Sequence, residues 1–399
     1  MAKLKTTRAS KPDSFRKTLT SVSANVRVGD WRLSRRDLKL PAKFSGSVRQ
    51  RTLHGGRQEG VELIEVDNGA LRFTVIPTRG MGVLRAELGD VRLGWDSPVK
   101  EVVHPQFIHL ASRGGLGWLE GFNEFIVRCG LESCGAPGPD KFRTAAGGEA
   151  TLDLTLHGKI ANTPASEVEV VIDRAPPHRI RIRGRVDERM LFGPQFELWT
   201  EISTEPGSNE FRVEDQIRNC GAGVQEFQLL YHINCGPPLL EAGARCRAAA
   251  KRVTPRNEYL AKDVRHFDTF AGPTAGAAEQ VYFLEPQADG AGRAKVLLHN
   301  AAADRGVSLG FAVKELPCFT LWKNTAAVAD GYVTGLEPGT GFPNPRQVER
   351  AAGRVPQLAP GETRRFALDF AIHLNRAQVA KAVGVTSSSK DSEQVRLQR

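Results

Sequence analysis

Short apolar runs separated by turn residues fill most of the chain. "VELIEVDNG" (61–69), "ASEVEVVID" (165–173), "RIRIRGRVDE" (179–188) and "FELWTEISTE" (196–205) alternate apolar with polar positions until a glycine, proline or acidic residue stops them. A period of two marks a strand with one face buried and the other wet. Such runs continue as far as "RRFALDFAIHL" (364–374), and sustained helical periodicity is nearly missing. Many short strands with turns between them predict an all-β fold, a large antiparallel β-sandwich with few short helices. "RRDLKLPAKF" (35–44) and "NRAQVAKAV" (375–383) are the helix candidates, both near the ends. No repeat of fixed period and no long interior linker appears, so residues 21–383 are expected to form a single domain. Residues 1–20 and 384–399 are polar and aperiodic, and both are expected to be disordered. One stretch breaks the pattern. From Val102 to Gly147 the chain is Gly-rich and aromatic with little alternation; a long loop of this kind in a compact fold is usually functional.

Composition narrows the function classes. Hydrophobic residues make up 40% and charged residues 25%, the balance of a globular protein. No run of about 18 apolar residues is present, so no membrane-spanning helix is expected. Met1–Thr20 has charges but no apolar segment behind them, so no secretory signal is expected and the location is read as cytoplasmic. The net charge of +10 comes without a nucleic-acid motif and without basic–aromatic interleaving, so it reads as a surface property rather than a nucleic-acid interface. The six cysteines are scattered, which fits reduced thiols. Cys129 and Cys134 lie close in sequence, but no second pair with zinc-ligand spacing follows, so no metal is expected. No P-loop, dinucleotide fingerprint or nucleophile elbow is present. Nucleotide chemistry and serine hydrolysis are therefore set aside.

Three residues have surroundings suited to acid–base work. His157 sits in "LTLHGKI", where an alternating strand meets a glycine turn. His232 sits in "FQLLYHINCGPPLL", at the end of an apolar strand before a rigid turn. Glu337 follows Leu336 in an apolar strand and precedes Pro338. A polar group held at a strand end is placed as a site places one. The same spacing is equally compatible with hydrogen-bonded turn histidines and a solvated turn carboxylate. Partial burial would raise the Glu337 pKa toward that of a useful base.

Taken together, "LHG" (156–158), "YHINCGPPLL" (231–240) and "GLEPGTGFPNPR" (335–346) resemble the aldose 1-epimerase (galactose mutarotase) superfamily, in the order His, His, Glu. The opening segment "VELIEVDNGALRFTVIPTRGMGVLRAELGDVRLGWDSP" is similar to that family's first strands, and the likeness spans roughly residues 50–375. The family's usual Gly-Arg-x-Ala-Asn-Arg loop is replaced by "GWLEGFNEFIVRCGLESCGAPG", which, with "TRGMG", resembles the branch called DUF4432. The resemblance implies a galactose mutarotase-like supersandwich. It also implies a carbohydrate-active isomerase that interconverts sugar anomers through ring opening, with no cofactor and a small carbohydrate as partner. Glu337 would be the base that takes the anomeric proton, and His232 the acid that protonates the ring oxygen. His157 would hold the ring oxygen or share the proton. Arg79, Asn123, Arg128 and Asn234 would fix hydroxyls, Glu279 would stand for the family's substrate-binding aspartate, and Trp322 would offer an apolar face to the sugar. Two further readings remain open: another sugar or sugar-acid isomerase or lyase on the same scaffold, and a carbohydrate-binding protein without catalysis. A homodimer is common among sandwiches of this size.

Overall fold

Two large β-sheets face one another across the main core. The computed structural model describes residues 14–38, 46–144, 146–260, 264–386 and 396–397. The first sheet has ten strands among these residues, and its middle is formed by Thr363–His373, Glu210–Asn219, Gln195–Thr204 and Ile180–Arg189. Their register is antiparallel, and each strand alternates a buried with a more exposed residue, so one face meets the core and the other meets solvent. The outer face carries a ladder of arginine–carboxylate pairs, such as Arg181–Asp173 and Arg183–Glu169 at 2.6 Å each. Exposed pairs of this kind contribute little stability individually.

The second sheet has thirteen strands and contains the consecutive neighbours Gln280–Pro286, Cys318–Asn324, Val333–Gly339, Gln228–Cys235 and Ile126–Leu131. The last three are buried at every position. One hydrophobic cluster joins the inner faces of both sheets and runs from Leu19 to Ile372 in sequence, with Phe73, Phe211 and Phe370 stacked within it. A second cluster lies on the outer face of the second sheet. There Trp95, Trp118 and Phe122 from the segment before Ile126 cover Val127, Cys129, Leu230 and Val333.

The all-β sandwich with short helices is thus the observed architecture. The longest helix is Arg376–Thr386, where "NRAQVAKAV" predicts one, and the other candidate is helical over Arg35–Leu38. Residues 39–45 of that candidate lie outside the described residues. Three expectations need correction. Ser14–Ser21 is a strand, not disordered chain, paired with Glu167–Asp173 and anchored by fully buried Leu19. Its basic residues, Arg16 and Lys17, mask a strand that has only a few buried positions. At the other end, the helix carries the chain to Thr386, past the boundary set at 384. Residues 1–13 and most of the C-terminal segment lie outside the described residues. The Val102–Gly147 stretch is also not all loop, because Ile126–Leu131 is a central strand and Gly138–Arg143 forms a hairpin with Glu149–Leu154.

Candidate functional site

Parity along three adjacent strands decides what faces the site. Leu230 and Val127 belong to the outer cluster, whereas Tyr231, Ile233 and Ile126 belong to the sandwich core. Side chains alternate faces along a strand, so His232 and Asn234 share the outer face with Leu230. The pairings Leu230↔Gly339 and Ile233↔Leu336 set Glu337 opposite His232 on the neighbouring strand. His232 Nε2 lies 3.2 Å from Glu337 Oε1, with both side chains almost fully buried. Gly335 faces the same pair, and a Cβ there would lie 3.0 Å from His232 Cε1 and would overlap the Glu337 carboxylate.

His157 arrives from a different element, the turn after Glu149–Leu154. It adopts a left-handed backbone at φ 57°, unusual for a side chain of this size, followed by Gly158 at φ 70°. Its backbone N–H donates to Gly135 O at 2.9 Å. Its ring lies 5.5 Å from the His232 ring and 4.6 Å from that of Trp118, centroid to centroid. Phe122 and Trp322 pack edge-on against His232 at 5.1 and 5.4 Å. The Trp322 indole N–H donates to Glu279 Oε2 at 2.8 Å, which places that carboxylate at the rim.

Hydrogen bonds settle the imidazole tautomers. The Asn234 amide nitrogen donates to two carbonyls, Glu124 O at 3.0 Å and His232 O at 3.2 Å. Its oxygen must therefore face the ring, and it accepts from His232 Nδ1 at 2.6 Å. His157 Nδ1 likewise donates to Cys134 O at 2.8 Å. Each ring thus carries a proton on Nδ1, so that in the neutral form Nε2 is the acceptor.

Burial then sets the charge state. It pulls His232 down to about 3, with neighbouring His157 adding to the fall, and pulls His157 down to about 4. Burial also pushes Glu337 well above the usual carboxylate range, reinforced by the negative charge of Glu279. Burial penalises both charges at once, so each shift runs toward the uncharged form and away from the expected ionised Glu337 and charged His232.

The side chains expected at the site divide in two. His157, His232, Glu337 and Trp322 come together, with Glu279 at the edge and Asn234 behind His232. Arg79, Arg128 and Asn123 do not join them. Arg128 falls one residue out of phase with Val127 and Cys129, so it points into the sandwich core. There its guanidinium donates to Asp215 at 2.5 and 2.9 Å and to Thr200 Oγ1 at 2.6 Å, and Tyr231 donates to the same carboxylate at 2.8 Å. Arg79 is fully buried and pairs with Glu124 at 2.7 Å. Asn123 spends its amide hydrogens on Glu101 O at 2.7 Å and Val99 O at 3.3 Å, bracing its own loop. Sequence reasoning missed Trp118 and Phe122 as individual residues, although both lie in the aromatic stretch flagged as functional. Among the described residues, no three His, Cys, Asp or Glu side chains gather as a metal site.

Residues 58–372 match the family model described as Domain of unknown function (DUF4432). A candidate aldose 1-epimerase from Klebsiella pneumoniae is similar at 40% identity and TM-score 0.90, over 96% of this chain and 97% of that one. A galactose mutarotase-like protein from Clostridium acetobutylicum shares the fold at 13% identity and TM-score 0.54, over 83% and 99% of the two chains. A galactose mutarotase related enzyme from Lactobacillus acidophilus does so at 13% and 0.54, over 79% and 99%. No curated protein matches.

Proposed function

The chain belongs to the DUF4432 family, with a galactose mutarotase-like fold, and on that premise we propose that it interconverts the anomers of a sugar through ring opening. The observation that carries the proposal is the buried His232–Glu337 pair at 3.2 Å, with the His157 ring beside it. Mutarotation needs one proton removed from the anomeric hydroxyl and one delivered to the ring oxygen. The resting pair holds one mobile proton, on Glu337, and one empty acceptor, His232 Nε2. Glu337 is the acid and protonates the ring oxygen as the C1–O5 bond breaks. His232 is the base and takes the O1 proton as the C1–O1 double bond forms. The open aldehyde turns about C1–C2. On closure the O5 proton returns to the Glu337 carboxylate while the imidazolium protonates O1. The pair ends as it began, with no net exchange with solvent. Asn234 serves by fixing the tautomer that leaves Nε2 bare, and His157 Nε2 accepts a hydrogen bond from a sugar hydroxyl.

Anomer exchange on a panel of aldoses, read by NMR magnetisation transfer, tests this. Positioned acid–base groups contribute roughly 10²–10⁴-fold, so Glu337→Gln and His232→Ala should each slow exchange by that order. An unchanged rate on a sugar the wild type converts would remove both roles. Deuterium appearing at C2 would instead mark an isomerase that moves a carbon-bound proton.

A further inference from the structure

The wet face of the first sheet, across the whole sandwich from the acid–base pair, holds a cavity of about 690 Å³. That volume is in the range of small-ligand sites, roughly 300–1,000 Å³. Elsewhere this face is covered by long paired side chains, such as Arg181, Arg183 and Glu201. Here the floor is low. Ser203, Ser308, Gly310 and Ala371 point outward, because their neighbours Ile202, Leu309 and Phe370 belong to the core. Register joins them: Gly310 pairs with Asp369, Asp369 with Arg212, and Arg212 with Ser203, while Ser308 pairs with Ala371 in the adjacent outward row. The helix Arg376–Thr386 packs beside Arg293–His299 and forms a wall, with Gln378, Lys381 and Ala382 on the cavity.

Charge separates this cavity from the ladder beside it. Asp369 alone takes both Arg212 and Arg293, and Glu205 takes Arg179 at 2.8 Å. Lys295, in register with Gly310 on the floor, and Lys381 on the helix make no hydrogen bond or ion pair among the described residues. With Glu210 as the third carboxylate, five cations line the cavity against three anions, a surplus of two positive charges. His373 and Ser308 stand together, Nε2 to Oγ at 2.5 Å. Burial holds the His373 ring below its ordinary value, so it is neutral at pH 7 and leaves that surplus unchanged.

We propose that this cavity is a second ligand site, separate from the acid–base pair, and that it binds a small soluble phosphate monoester. Such an ester carries about −1.5 to −2 charge at neutral pH, which the surplus on the lining balances. Its terminal oxygens accept from Lys295, Lys381 and the Arg293 guanidinium, which spends one nitrogen on Asp369 and has donors left over. Ser203, Ser308 and Gln378 then serve the hydroxyls of the ester's body. The recess lies beside the helix wall rather than on a flat surface, which suits a free ester over a headgroup held in a bilayer.

Calorimetric titration tests this on the full chain, with glycerol 3-phosphate, glycerol and vesicles containing phosphatidic acid as probes. None of these is an aldose, so the outcome is independent of the anomer-exchange reading. Wild type should bind glycerol 3-phosphate, more weakly as salt rises, and should not bind glycerol. Lys295→Ala and Lys381→Ala should each weaken the ester about tenfold, the order of one charge-assisted hydrogen bond. Ala371→Trp should fill the floor and abolish binding with unchanged far-UV circular dichroism. His232→Ala should bind the ester as wild type does. No binding of the ester, equal binding of glycerol, an affinity unchanged in both lysine variants, loss of binding in His232→Ala, or binding to the vesicles alone overturns the proposal. Should Ala371→Trp fail to fold, the two exposed lysines decide the matter, since neither supports the core.

Discussion

The proton on Glu337 is favoured by desolvation of the carboxyl rather than by a hydrogen-bonding partner. Its Oε1 lies 3.2 Å from His232 Nε2, yet no hydrogen bond satisfies that oxygen. An ionised carboxylate here would be buried and poorly compensated, so folding favours the neutral form. The sign of the pH dependence follows. A carboxyl whose folded pKa exceeds its ordinary 4.5 contributes stability in full below that value and loses it as pH rises through the folded pKa. Glu337→Gln should therefore raise the melting temperature at pH 8, and the gain should fade as pH falls toward 4.5; a gain equal at both pH values would contradict the assignment. The histidines act oppositely. Their folded values near 3 and 4 contribute stability above the ordinary 6.5 that is lost on acidification. Arg128 gives a second residue-scale expectation. It is locked to Asp215 across the core, and removing one partner of a buried ion pair typically costs about 3–5 kcal/mol. Arg128→Met should lower urea stability by that order while leaving KM for any sugar unchanged in the protein that remains folded.

Among the elements, alternation is both the guide and its own limit. It exposed the strands of the first sheet, because Ile180–Arg189 and Glu210–Asn219 have one wet face. It failed at Ile126–Leu131, which is buried at all six positions and so shows no period. With that strand hidden, the parity of Arg128 could not be read, and an arginine bound for the core was placed at the site. His232 and Glu337 stand out as polar groups in apolar segments, but their strands run on to Cys235 and Gly339 instead of ending at them, and their direct opposition depends on register, which a single sequence does not display. The burial of the His232 ring depends on Trp118 and Phe122, which pack against it from a segment distant in sequence. Register also makes Gly335 a sensitive position. A Cβ there would press on His232 Cε1 and the Glu337 carboxylate together, and misplacement of reacting groups by about 1 Å costs on the order of 10²-fold. Gly335→Ala should thus lower kcat by about that factor with near-wild-type circular dichroism. A kcat within about twofold of wild type would show that the pair tolerates displacement that its packing forbids.

At the level of the molecule, the site is a layer added to a sandwich rather than a cleft cut into one. The inner faces of both sheets share one hydrophobic cluster, and Arg128 of the second sheet is tied to Asp215 and Thr200 of the first. The outer cluster rests on strands whose other face is that same core. Melting either sheet alone would expose the apolar face of the other and strand a buried charge, so we expect both sheets and the aromatic layer to unfold together. Tryptophan makes this measurable. Trp95, Trp118 and Trp322 belong to the site layer, whereas Trp199 stacks under Arg183 and Arg185 on the far side of the first sheet. Fluorescence therefore weights the site layer, and far-UV circular dichroism weights both sheets. Urea transitions followed by the two probes should coincide in midpoint and slope. An earlier fluorescence transition would mean that the layer over His232 and Glu337 opens on its own; the dry environment that keeps the proton on Glu337 would then be a local, separable property rather than one enforced by the whole core.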